Sequence, residues 1–161
     1  MLIGILISII LILLAFQDIK MRHINGWLLI PLLLLFFFQS FQAEYATVVF
    51  INLGLNVTFL IIQFILVSLF YFIKEKQINF INTKLGIGDI LLLFIISASF
   101  SFKSFLIFYV GTLLMCIFIT IVLERFIRNE KNSIPLVAYI SACYLMWYWL
   151  SVFLHKKLLY L

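Results

Sequence analysis

The chain has 161 residues, of which 66% are hydrophobic and 11% charged, and its mean hydropathy is +1.28. No water-soluble core can absorb that much apolar surface, so a soluble domain is excluded and a membrane bundle remains. The formal net charge is +5, yet the basic residues stand singly or in small groups at the ends of apolar runs, with no continuous basic face, which argues against nucleic acid as a partner.

Taken in chain order, apolar runs and their polar breaks predict helices over 1–18, 27–42, 45–73, 86–102, 104–124 and 134–154. The expected fold class is all-α, a polytopic membrane helical bundle of about six transmembrane helices, since about 20 apolar residues span a bilayer. Residues 1–161 are expected to form a single membrane-embedded domain. Met1 to Gln17 has no basic start and no small-residue cleavage site before Asp18, so it reads as a retained first helix rather than a cleaved leader.

Six spans put both termini on one side, and the basic residues decide which. Lys20, Arg22, Lys74, Lys76, Lys84, Arg125, Arg128 and Lys131 fall in the first, third and fifth connections, against Lys103, Lys156 and Lys157 opposite. That excess places the three basic connections in the cytoplasm and both termini outside. Pro31 stands close to the start of the second helix, and Asn132-Ser133 before Pro135 is the order of a cap followed by a first-turn proline for the sixth. The third run is long and contains Asn52, Gly54, Asn56 and Gln63, so a tilted, broken or late-starting helix is expected, with its polar residues facing other helices. Gly54 and Gly111 are expected to allow close helix packing. Trp147, Tyr148 and Trp149 are expected to anchor the last helix at the outer interface, where indole and phenol rings are enriched.

The chemistry concentrates in two carboxyl groups. Glu44, Glu75, Glu124 and Glu130 lie at or beyond helix ends, whereas Asp18 closes the first apolar run and Asp89 is embedded in Leu85-Gly86-Ile87-Gly88-Asp89-Ile90-Leu91-Leu92-Leu93. An acid at a membrane boundary is costly unless it gains something, which makes both functional candidates. The inferred topology puts them at similar depth, one at the end of the first helix and one at the start of the fourth. Two carboxyls facing each other across a dry cleft cannot both ionise easily, so one keeps a proton while the other acts as base for water, as peptide hydrolysis requires. The helix ends suggest Asp89 as the base, at a positive N-terminus, and Asp18 as the acid, at a negative C-terminus. Gly86 and Gly88 would let a substrate backbone approach the carboxylate.

Other polar residues have plainer readings. His23, between Arg22 and Ile24, is a headgroup-level loop residue, and Glu124 with Arg128 forms an i,i+4 surface pair; the sharper alternative is that Glu124 or Glu130 attracts a basic peptide. Cys116 and Cys143 lie inside apolar runs without metal-ligand spacing, so no metal and no cofactor are expected.

Gly86-Ile87-Gly88-Asp89, Asp18-Ile19-Lys20-Met21-Arg22-His23-Ile24 and Lys131-Asn132-Ser133-Ile134-Pro135 together resemble the type IV prepilin peptidase family, a branch of the GxGD membrane aspartic proteases. The resemblance implies an aspartic endopeptidase of the bacterial cytoplasmic membrane that removes the basic leader of prepilin or pseudopilin precursors on the cytoplasmic side, with Asp18 and Asp89 catalytic. Such substrates serve pili, competence or protein secretion. Asn25-Gly26 stands where the family usually has Pro-Asn, and Leu91 where it commonly has lysine. The extra first helix and cysteine-bearing cytoplasmic domain of longer members have no counterpart before Asp18, so the resemblance does not extend to N-methylation. The rival from another class is an ion- or proton-coupled small membrane transporter component using the same aspartates. Within the same chemistry, a GxGD protease acting on remnant signal peptides, or an inactive scaffold, are further alternatives.

Overall fold

The computed structural model describes residues 2–21, 25–75, 86–126 and 136–153, and everything structural below refers to these. They form six helices: α1 (Leu2–Met21), α2 (Gly26–Ala43), α3 (Ala46–Glu75), α4 (Ile87–Ser97), α5 (Phe102–Phe126) and α6 (Leu136–Phe153). Five are long and apolar enough to cross a membrane, and the fold is a polytopic helical bundle. The predicted order and number of helices therefore match the structure.

The leucines and isoleucines of α1 cover every face, so the inward side is set by what is different. Gly4, Ile7, Ser8, Leu11, Leu14 and Asp18 recur at helical spacing and are buried. This stripe packs antiparallel on α6. Tyr148 lies against Gly4 so closely that a β-carbon there would overlap its ring and hydroxyl, Trp149 donates to the Ser8 hydroxyl at 3.2 Å, and the far end of the seam brings Asp18 to Ala138. The Trp147-Tyr148-Trp149 cluster is therefore more than an interfacial anchor: Tyr148 and Trp149 fasten α6 to α1, and Tyr148 stacks on Tyr144.

The fourth helix departs from expectation. It was expected over 86–102 and instead ends at Ser97, 11 residues or about 16 Å long, roughly half the hydrocarbon thickness. Three serines explain the stop. Ser97 and Ser99 turn their hydroxyls onto the carbonyls of Phe94 and Ile96, and Ser101 bonds Ser104 at the start of α5, so the chain turns back at residues 98–101.

Backbone groups exposed by a turn inside the bundle need partners. Asn56 on α3 donates its side-chain amide to the carbonyls of Ser97 (2.8 Å) and Phe100 (3.0 Å), and Ser40 on α2 donates to that of Ala98 (2.7 Å). Asn52 accepts the Phe102 N–H at 3.4 Å. Around the turn Phe100 stacks on Phe108 at 4.8 Å and meets Tyr144 edge-on, while Tyr144 also meets Phe36. This cluster, with Leu60, Leu92 and Ile96, belongs to a core that also takes in Ile7, Leu11 and Leu14 of α1.

The long third helix is one unbroken run from Ala46 to Glu75. Its Asn52 and Asn56 face inward as expected, but Gly54 does not. Gly54 and Gly111 are both exposed, and nothing lies within 4 Å of a β-carbon built at either, so neither mediates close packing within the chain. Pro31 lies at the sixth position of α2 rather than in its first turn, and the hydrogen bond it cannot give belongs to the carbonyl of Trp27, next to the exposed helix start.

Candidate active site

Asp18 continues the buried stripe of α1 and is 8% exposed. A buried carboxyl needs polar partners, and Asp18 Oδ2 accepts the backbone N–H of Ala138 at 3.0 Å. Gln17 beside it accepts the N–H of Asn25 at 3.3 Å, which folds the entry to α2 back onto the end of α1. Lys20 rests its ammonium 5.7 Å from the centre of the Phe16 ring, directed along α1.

Asp89 is the third residue of α4 and is half-buried. Its Oδ2 reaches back to the N–H of Gly86 at 3.2 Å, the carboxylate half of a capping box; the other half is missing because glycine has no side chain, and the Asp89 N–H bonds the Gly86 carbonyl instead at 3.1 Å. A β-carbon at Gly86 would stand 2.9 Å from that Oδ2, so any larger residue there would make the folded-back carboxylate shift. Gly88 is half-buried in the first turn, and Leu91 points outward at 46% exposure.

The two carboxyls converge. Asp18 is near enough for its charge to act on Asp89, and the backbone of Val137 lies close by. The first turn of α6 thus meets Asp18 of α1 through the Ala138 amide and lies beside Asp89 of α4. The N-terminal amides of a helix have no intrahelical acceptor and form its positive end. The division of roles argued from each aspartate's own helix end therefore loses its basis, because α6 brings a positive end to Asp18 as well.

A model of the type IV leader peptidase family matches residues 5–121. The chain belongs to that family. Among curated proteins and among solved structures, nothing matches it. The stretch matched by the leader peptidase family includes Asp18, Gly86, Gly88 and Asp89 and stops within α5, before the helix whose Ala138 amide meets Asp18.

Sequence reasoning missed Ala138 because its contribution is backbone, which any residue but proline supplies; the available signal was the Asn132-Ser133-Pro135 helix start. It also missed Gly4, whose spacing to Ser8 was the clue to the inward face of α1. His23, Arg128, Glu130 and the Lys131–Pro135 segment lie outside the described residues. Cys116 and Cys143 are free thiols in α5 and α6.

Proposed function

We propose that this leader peptidase family protein is an aspartic endopeptidase that removes the leader of type IV prepilin or pseudopilin precursors at the cytoplasmic face of the bacterial cytoplasmic membrane. The observation that carries the reading is the approach of two membrane-boundary aspartates, 18 and 89, beside the first turn of α6, where the Ala138 amide meets Asp18. The excess of basic residues in the first, third and fifth connections supports the sidedness.

In this reading the pair holds one proton and one negative charge, and a water lies between the carboxyls. The ionised carboxylate takes a proton from the water as its oxygen attacks the scissile carbonyl carbon. The protonated carboxyl gives its proton to the carbonyl oxygen, forming a neutral tetrahedral diol. Collapse of the diol breaks the C–N bond, with a proton passing to the departing amine, and the pair returns to its starting charge. Gly86 and Gly88 leave the approach to Asp89 without side chains, which suits a substrate backbone that has unwound from its helix.

The test compares wild type, Asp18→Asn and Asp89→Asn in membranes supplied with a prepilin, following leader loss by mass. Each substitution is expected to lower cleavage by at least about 10²-fold, within the range for acid–base groups, while the protein stays inserted. Normal cleavage by either variant overturns the shared-water reading and leaves the transporter alternative open. Cleavage of remnant signal peptides in place of prepilin would keep the chemistry and change the substrate.

A further inference from the structure

Asp18 lies at the end of an apolar helix and is more than nine-tenths buried, so the group that meets it has large leverage over where its oxygens sit. That group is a backbone amide. Ala138 lies in the first described turn of α6, and its N–H goes to Asp18.

The turn that carries this amide is also well fixed. Val137, Ala138 and Ile140 are buried, and α6 is fastened along α1 by Tyr148 against Gly4 and Trp149 on Ser8. Movement of α6 would shift the carboxyl of Asp18 with it.

We propose that the first turn of α6, which lies beyond the residues matched by the family model, is the positioning element of the aspartate pair. The Ala138 amide holds one oxygen of Asp18, which fixes how that carboxyl faces Asp89 and leaves the remaining oxygens free to bridge one water. The positive helix end also favours the single negative charge the pair carries. Ala138 is a positioning residue acting through its backbone, and the inference rests on the aspartic reading above.

The test replaces an amide by an ester. Lactic acid introduced in place of Ala138 by nonsense suppression removes one N–H and keeps the side chain. The control is the α-hydroxy analogue of isoleucine at position 140, whose N–H bonds within α6. Both changes also weaken the preceding carbonyl as an acceptor, so their difference isolates the bond to Asp18. Against a prepilin in liposomes, the ester at 138 is expected to lower kcat by about ten- to hundredfold, the worth of a hydrogen bond to a charged group, with KM within about threefold. The ester at 140 is expected to leave kcat within about threefold despite losing a helical bond.

Two coded variants give a second route. Ala138→Gly keeps the amide and is expected to retain cleavage, while Ala138→Pro removes it in a first turn that tolerates proline and is expected to reproduce the kcat loss. Unchanged kcat with the ester at 138, or equal losses at 138 and 140, overturns the proposal. If Asp18→Asn and Asp89→Asn both cleave normally, the aspartic reading itself fails; if they abolish cleavage while the ester at 138 is silent, only the positioning inference fails.

Discussion

Asp89 and Ser97 stand at opposite ends of α4, about 12 Å apart along its axis, and the chain secures the two ends in different ways. The Ser97 end is fully buried, and side chains from α2 and α3 take up the carbonyls of Ser97, Ala98 and Phe100. The Asp89 end is half-buried with Ile87 and Leu91 exposed, and its carboxylate is met by the backbone amide of Gly86. The deep end is an anchor made of side chains, and the shallow end is a carboxylate held by main chain with an open approach. A half-length helix fits this arrangement, because a turn fixed inside the bundle locates the aspartate at its other end.

Gly86→Ala attacks the shallow end alone. Its β-carbon would stand 2.9 Å from Asp89 Oδ2, so the carboxylate must swing away, and cleavage is expected to fall about tenfold or more with little change in melting temperature. Peptide cleavage rates beside thermal melts in detergent check this; an active Gly86→Ala would separate the fold-back of Asp89 from function.

Asn56→Leu attacks the deep end. It leaves the carbonyls of Ser97 and Phe100 without their donor inside the bundle, and a loss of roughly 1–3 kcal/mol of stability is expected, with cleavage falling only as far as the folded fraction does. Denaturation in mixed micelles measures the first and rates normalised to folded protein the second. A drop in normalised rate would mean that the anchor transmits to the site.

The smallest effect belongs to glycines that belong to neither end. Gly54→Ala and Gly111→Ala place a methyl group in open space on exposed helix faces, and each is expected to leave stability unchanged or raise it by up to about 1 kcal/mol, from helix propensity alone. Destabilisation by either, read in the same denaturation assay, would reveal a packing role that the fold does not contain.

What could be read in the sequence follows the same contrast. Long apolar runs reported the helices, and the scarcity of acids in them singled out Asp18 and Asp89, because each membrane acid needs a reason. The deep turn was not legible: Ser97, Ser99 and Ser101 stand within an apolar stretch, and their effect depends on Ser40 and Asn56, whose pairing with that turn is tertiary. Gly54 and Gly111 were misread for the related reason that a glycine in an all-apolar helix does not say which face it occupies. Pro135 in the sequence pointed to a helix start there, but the hydrogen bond that Ala138 gives Asp18 has no residue signature.

The central claim is that Asp18 and Asp89 share one cavity, and proximity can be measured without substrate. In a background carrying Cys116→Ala and Cys143→Ala, the pair Asp18→Cys with Asp89→Cys is treated with a short bifunctional thiol reagent and weighed intact, beside a control pairing Asp18→Cys with Ile5→Cys, about 20 Å away along α1. The account predicts one reagent bridging both thiols of the aspartate pair and separate modification of each thiol in the control. Separate modification of positions 18 and 89, with no bridged species, would contradict it.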